Sequence, residues 1–538
     1  MHGSYKKHSW LPLILAVTFV AGLWLGWFIN KPMEMTPGQK NLQNLLNIIK
    51  DNYVDEIDLD SLIERSIPGI LSNLDPHSSY LSPEDKQQPD ELEGRFGGIG
   101  IQFQIYNDTV CVIESMVGGP ANKVGVMAGD RILSVDGKNI AGTGITNEDV
   151  FKVLRGQAGS NVKITVKRQG ASKILTFDIT RGNIPVQSID AAYMLDTTTG
   201  YIKINNFGRS TYAEFIKSMN GLLQQGASNY VIDLRGNTGG YMEPAILMVN
   251  EFLPANKVIV STKGRKAEDN TTVMSDGRGQ FKDASLVVLT DEATASSSEI
   301  FSGAIQDNDR GLIIGRRTFG KGLVQRPISL PNGGEIRLTV QRYYTPSGRS
   351  IQKDYVPGKN TQYELEIYER YKSGEMISID SVKLDKKHIF KTASGREVYG
   401  GGGIMPDIYM PTDTTAFTGY FVNAYNDGLF QKFAYEFCDL NRGDLKDVKN
   451  LKELLSRLPA DNVLLSSFVA FAVQNGHPAR WYYINISQRL IVGQLKALIA
   501  RDVLGIPAYF EVINGDDVNV KKAIEVIHNG KARSPIRP

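Results

Sequence analysis

The sequence predicts a multidomain chain of mixed α/β (α+β) class, in which a β-rich segment precedes an α/β layered core and helical segments lie at both ends. Three observations carry this expectation. At 538 residues the chain exceeds what one hydrophobic core serves, so two to four domains are expected. Four short β-like stretches, Ile99–Ile105, Val110–Ser115, Arg131–Val135 and Asn161–Arg168, are separated by glycine turns such as Asp136-Gly137-Lys138. From Gly200 onward, apolar strands alternate with helical segments, the rhythm of a layered α/β core.

The elements follow in order. Leu11 to Ile29 is an uncharged, mostly apolar run of about the length that crosses a hydrocarbon core. With Lys6 and Lys7 before it, and Trp10 and Trp27 near its two ends, it predicts a single-pass anchor in the cytoplasmic membrane. A cleaved signal peptide is the competing reading, and either one places the remainder on the periplasmic, extracytoplasmic side. Leu42, Leu45, Leu46 and Ile49, then Leu59, Leu62, Ile63, Ile67 and Ile70, recur at helical spacing and make Gly38–Leu74 helical. The expected division is 1–30 anchor, 31–90 helical segment, 91–182 β-rich domain, 183–413 core and 414–538 helical region. The polar stretch Gly358–Lys391 reads as an insertion or flap in the core.

Composition narrows the functional classes. The 60 basic and 58 acidic residues nearly cancel, which argues against a nucleic-acid binder with its concentrated basic surface. Two cysteines, Cys111 and Cys438, allow one disulfide but neither a stapled framework nor a cysteine-built metal site.

Four segments carry chemistry. Phe96, Gly97, Gly98, Ile99, Gly100 and Ile101 open a strand with a glycine loop able to aim several N–H groups at one carboxylate. A dinucleotide loop would need a helix after the glycines, and a strand follows instead. The second segment, Val231 to Gly240, is an apolar strand ending in Arg235-Gly236-Asn237-Thr238-Gly239-Gly240, where free amides suit an oxyanion hole. Its likeness to a chymotrypsin-type nucleophile loop fails, because threonine occupies the serine position. None of the six histidines has a triad-like context, and His77 reads as a turn residue. In the third segment, strand Val287–Leu289 leads through Thr290–Ala295 into Ser296-Ser297-Ser298-Glu299 at a helix start, where serines cap helices as readily as they attack carbonyls. The fourth places Lys321 between Gly320 and Gly322 after an apolar strand. Burial there would lower the lysine pKa and make it a base. Gly322 stands where a phosphate loop needs Ser or Thr.

The run Gly119-Pro120-Ala121 with Gly125-Val126-Met127-Ala128-Gly129-Asp130-Arg131-Ile132 resembles a PDZ domain. That resemblance implies a groove that adds a peptide as a strand and holds its terminal carboxylate at Phe96–Ile101. Together the segments resemble the carboxy-terminal processing peptidases, from about Leu74 to Asp407, with Tyr343-Tyr344-Thr345-Pro346-Ser347-Gly348-Arg349 and Gly402-Gly403-Ile404-Met405-Pro406-Asp407 as further family-like stretches. The resemblance implies a core related to the crotonase and Clp protease fold with an inserted PDZ domain. It also implies a serine endopeptidase in which Ser296 is nucleophile, Lys321 the base, Gln325 its orienting group, and the amides of Gly240 and Ser297 the oxyanion hole. Arg155 becomes a candidate gate between PDZ domain and core. Ser297 stands where the family usually has alanine, and Thr238 where it usually has proline. The implied partners are protein substrates with apolar C-termini, no cofactor or metal is required, and self-association through 38–74 or 415–538 stays open. The alternative is a catalytically silent PDZ scaffold that binds tails.

Overall fold

A computed structural model describes residues 10–29, 35–86, 91–116, 118–168, 170–383, 388–533, 535 and 536. The chain divides into two compact units, 1–70 and 71–538. In the first, helices Leu11–Ile29 and Pro37–Asn52 form, and a third, Leu59–Ser72, begins. Thr36 and Gln39 exchange side-chain and backbone hydrogen bonds as a capping box at the second helix (3.3 and 2.8 Å). The single helical segment expected over Gly38–Leu74 is therefore two helices. Asp58 starts the later one, its carboxylate accepting from the Asp60 N–H and the Ser61 hydroxyl.

The expected membrane anchor is corrected. Among the described residues no helix is long and apolar enough to cross a membrane. At 19 residues, Leu11–Ile29 spans about 28 Å, at the lower limit of what a hydrocarbon core of about 30 Å requires. The single-pass inner-membrane and periplasmic placement that rested on this segment falls with it. Lys6 and Lys7 lie outside the described residues.

In the second unit the β-rich segment forms an antiparallel sheet of β1 (Ile101–Tyr106), β2 (Thr109–Ser115), β3 (Arg131–Val135), β4 (Asn161–Lys167) and β5 (Leu175–Thr180), neighbours in that order. Val110, Val112, Ile132, Ile164 and Ile179 fill its core beneath helix α1 (Asn147–Leu154), which contributes Val150 and Leu154. β1 is an edge, paired only with β2 among the described residues.

The larger sheet runs β6 (Ile189–Met194), β7 (Thr199–Ile204), β8 (Asn229–Asp233), β9 (Ser285–Thr290), β10 (Leu312–Gly315) and β11 (Ile408–Tyr409), parallel from β7 onward. Register explains why these strands read as unbroken apolar runs: both faces are buried. Ile202, Ile232, Val288 and Ile313 align across one face with Phe215, Phe252 and Phe301 packed below. Tyr201, Val231, Val287 and Leu312 align across the other, covered by Val520, Ala523 and Ile527 near the C-terminus. The loops leaving the carboxyl ends of β8, β9 and β10 thus emerge side by side, where open α/β sheets place their sites.

Within Gly358–Lys391, Arg370 is buried and donates to the carbonyls of Arg317 and Thr318 and to Glu375 (2.7, 3.0 and 2.9 Å). That part of the expected flap is packed against the loop that leads from β10 to Lys321. The C-terminal region is an all-helical cluster that includes Leu429–Leu440 and Trp481–Leu504. It meets the β-rich domain through Tyr106 to Glu436 (2.7 Å), Arg131 to Asp439 (3.0 Å) and Arg442 to the Ala128 carbonyl (2.8 Å). Cys111 and Cys438 are both free, so the allowed disulfide is not formed. Phe430 is fully buried and stacks on Phe468 at 4.7 Å. Phe430→Ala is therefore expected to lower stability by about 3–5 kcal/mol in denaturant unfolding, and a loss under about 1 kcal/mol would contradict this packing.

Candidate active site

The three loops at the carboxyl ends of β8, β9 and β10 enclose a cavity of about 500 Å³ that Gly240, Ser296, Ser297, Lys321 and Gln325 all line. Residues 85 positions apart (325 − 240) meet because the parallel strands that precede them are neighbours.

Ser296 precedes helix α2 (Ser297–Asp307) with φ +56° and ψ −116°, a conformation sparsely populated for a residue with a Cβ. The turn projects Ser296 at the helix N-terminus, where unpaired N–H groups collect. The glycine loop passes very close to it. A Cβ added to Gly239 (φ +101°) would stand 2.7 Å from Ser296 Cβ, and one added to Gly240 (φ +144°) 2.3 Å from the Phe207 carbonyl oxygen. Only glycine fits either position. Among the described residues neither the Gly240 N–H nor the Ser297 N–H has an acceptor, and both residues line the cavity.

The neighbouring serines are engaged elsewhere. The buried Ser297 hydroxyl donates to the Gly240 carbonyl (2.8 Å), and the buried Ser298 hydroxyl donates to the Asn237 carbonyl (3.1 Å). Ser297 thus fastens the helix start to the glycine loop. Asn237, which the sequence did not single out, is buried between Ile204 and Gly239, bonding both (3.1 and 2.8 Å). Thr238 is exposed on the cavity wall.

Lys321 Nζ donates to Gln325 Oε1 at 3.0 Å. Burial holds its pKa below the 10.5 of a solvated lysine, and the Glu299 carboxylate is the strongest opposing influence. Gln325 in turn donates its amide N–H to the His77 carbonyl oxygen. The contribution of His77 is therefore a backbone carbonyl, which no side-chain motif announces. Its ring bonds Tyr363 (2.8 Å), and burial with the nearby Lys321 charge pushes its pKa down to about 4, so it is neutral at physiological pH. Asp75 anchors that turn by accepting from the His77 N–H, Ser78 and Thr339.

Glu299 was legible only as part of the serine segment, yet it joins two loops. Fully buried, its carboxylate accepts from the backbone N–H of Ser296 (2.8 Å), Gly320 (2.8 Å) and Lys321 (2.9 Å) and from the Thr318 hydroxyl. Burial pushes its pKa up to about 7 while these four donors pull it down. The donors are satisfied by the carboxylate, since a protonated acid would bring a hydrogen of its own. Tyr343 adds a second clasp: its buried hydroxyl lies 3.0 Å from the Ser296 carbonyl oxygen and 2.6 Å from that of Lys321.

The residues Phe96 to Ile101 lie in the β-rich domain, away from this cavity. The Arg155 guanidinium sits over Phe96 (4.3 Å) and Phe151 (4.1 Å), and Arg155 lines a separate space with Gly97 and Gly156. Among the described residues no cluster of His, Cys, Asp and Glu is arranged to hold a metal ion.

Residues 198–359 match the model of peptidase family S41, residues 112–168 that of a PDZ domain, and residues 420–505 that of a family of unknown function (DUF8443). The chain is 39% identical over 311 residues to a carboxy-terminal-processing protease of Bartonella bacilliformis, covering 56% of this chain and 70% of that protein. It is 33% identical over 360 residues to the carboxy-terminal processing protease CtpA of Bacillus subtilis, covering 65% and 76%. Among solved structures, the photosystem II D1 C-terminal processing protease is similar at 24% identity and a TM-score of 0.34, over 70% of this chain and 95% of that one.

Glu299→Gln replaces one acceptor oxygen with an NH2 group that faces backbone N–H or hydroxyl donors, and is expected to lower stability by about 1–3 kcal/mol, measured by denaturant unfolding. A variant as stable as the parent would contradict the role of this carboxylate in holding the two loops.

Proposed function

The chain belongs to the carboxy-terminal processing proteases of peptidase family S41, serine peptidases, and on that premise we propose that Ser296 and Lys321 form its catalytic dyad. The observation that carries this reading is the shared cavity, onto which Ser296, the lowered-pKa amine of Lys321 and two acceptor-free backbone amides all open. Lys321 in its neutral form takes the Ser296 hydroxyl proton as Oγ bonds to the scissile carbonyl carbon. The oxyanion that forms is met by the N–H groups of Gly240 and Ser297, at the positive end of helix α2. As the C–N bond breaks, the Lys321 ammonium returns its proton to the leaving amine. Water, deprotonated by the same amine, then hydrolyses the acyl ester and restores the serine. Gln325 keeps the Lys321 amine aimed at Ser296 by accepting one of its hydrogens, and the His77 carbonyl fixes Gln325 in turn.

Substrates are polypeptides presented by their C-termini. The PDZ domain supplies the recognition: the loop Phe96–Ile101 takes the terminal carboxylate, and the open edge of β1 takes the preceding residues as an added strand, with apolar side chains packing toward α1. The chemistry needs no cofactor.

With an unfolded protein bearing an apolar C-terminus as substrate, Ser296→Ala and Lys321→Ala are each expected to lose at least about 10³-fold in kcat/KM. Ser297→Ala keeps its backbone N–H and is expected to retain activity within about tenfold, since it forfeits one hydrogen bond of about 1 kcal/mol. Activity that survived Ser296→Ala but not Ser297→Ala would overturn the assignment.

The lowered pKa of Lys321 sets a pH dependence with a definite sign. The base works when deprotonated, so kcat/KM rises with pH through a group titrating below 10.5. A rate unchanged from acid to alkaline pH would contradict a lysine base.

A further inference from the structure

The helical region of unknown function stands directly across from the open edge of β1. Between them lies a space of about 730 Å³, lined on one side by Gln102–Ile105 and Asn147, and on the other by Tyr425, Gln431, Lys432 and Arg501. The helical side is held in place against the β-rich domain by Tyr106–Glu436, Arg131–Asp439 and Arg442–Ala128. The edge strand and this helical wall therefore keep a fixed separation.

The chemistry of the space points to a polypeptide of particular charge. β1 offers unpaired backbone groups along its edge, which an incoming extended chain satisfies. Among the described residues Gln431 Oε1 is buried without a donor, an acceptor aimed at nothing this chain supplies. No acidic side chain lines the space, whereas Lys432 and Arg501 do. Arg501 is engaged by Asp502 (2.8 Å), but Lys432 donates only to a backbone carbonyl, that of Asp427 (3.2 Å), and has no carboxylate partner among the described residues.

We propose that the C-terminal helical region is the second wall of the tail-binding groove, and that Lys432 selects substrates carrying an acidic side chain upstream of their C-terminus. The proposal rests on the tail-capture reading given above. With the terminal carboxylate at Phe96–Ile101 and the tail antiparallel to β1, a residue roughly three to five positions from the end lies opposite the Gln104–Tyr106 portion of the strand, at about 3.3 Å per residue. There the Lys432 ammonium meets its carboxylate and Gln431 accepts a hydrogen from the chain.

The test is binding of fluorescent decapeptides with one apolar C-terminus and Asp, Ala or Lys at the third to fifth position from the end. Anisotropy is measured on the full chain carrying Ser296→Ala to prevent cleavage, with and without Lys432→Glu. The Asp peptide is expected to bind about five- to tenfold tighter than the Lys peptide, with that order inverted by Lys432→Glu and the Ala peptide little changed. Peptide preference in the Lys432 chain is read without any change to the wall, so a poorly folding variant does not remove the test. Equal affinity for the three peptides, or a preference unmoved by Lys432→Glu, overturns this proposal while leaving tail capture standing. A chain that binds none of the peptides overturns tail capture itself, and this proposal with it.

Discussion

A single buried carboxylate organises the active site. Glu299 lies on the first turn of α2 and receives the N–H of Ser296 from its own segment, and of Gly320 and Lys321 from the loop after β10. Those bonds fix the backbone of Ser296 and Lys321, the proposed nucleophile and base, relative to each other. Two opposed electrostatic effects coexist there. The Glu299 charge favours the lysine ammonium and burial disfavours it; burial is the stronger, and the pKa of Lys321 falls. A carboxylate fastened by backbone donors thus holds the Lys321 backbone without fully cancelling the desolvation that lowers the pKa of its amine.

That arrangement depends on the sheet. Because β8, β9 and β10 are parallel neighbours in matched register, the glycine loop, the serine turn and the lysine loop leave the same edge together. The rows Ile202–Ile232–Val288–Ile313 and Tyr201–Val231–Val287–Leu312 are buried on opposite faces, and a one-residue slip would exchange them. Register is thereby fixed by packing on both sides, and the loops inherit that precision. The conformation of Ser296 at φ +56° persists because Gly239, Glu299 and Tyr343 all hold its surroundings.

Much of this was legible in the sequence, for identifiable reasons. Strands buried on both faces read as apolar runs, and the glycine, serine and lysine segments are local patterns whose chemistry can be argued one segment at a time. What escaped depends on contacts between distant residues. The His77 carbonyl that holds Gln325 is a backbone group 248 positions away, and Tyr343, seen only as part of a family-like stretch, clasps Ser296 and Lys321 through its hydroxyl. Arg370 looked like part of a solvated charge-rich stretch, yet it is buried against the carbonyls of Arg317 and Thr318. The membrane reading failed differently: an uncharged run of about spanning length was taken as an anchor, whereas among the described residues no helix is long and apolar enough to cross a membrane.

The central claim is that Ser296 is the nucleophile and Lys321 activates it. Intact-mass and peptide mapping after exposure to a serine-directed fluorophosphonate tests it most directly, without any assumption about substrate. The account predicts a single adduct on Ser296, whose rate of formation rises with pH and collapses in Lys321→Ala. An adduct on Ser297 or Ser298, or undiminished labelling of Ser296 without Lys321, would contradict it.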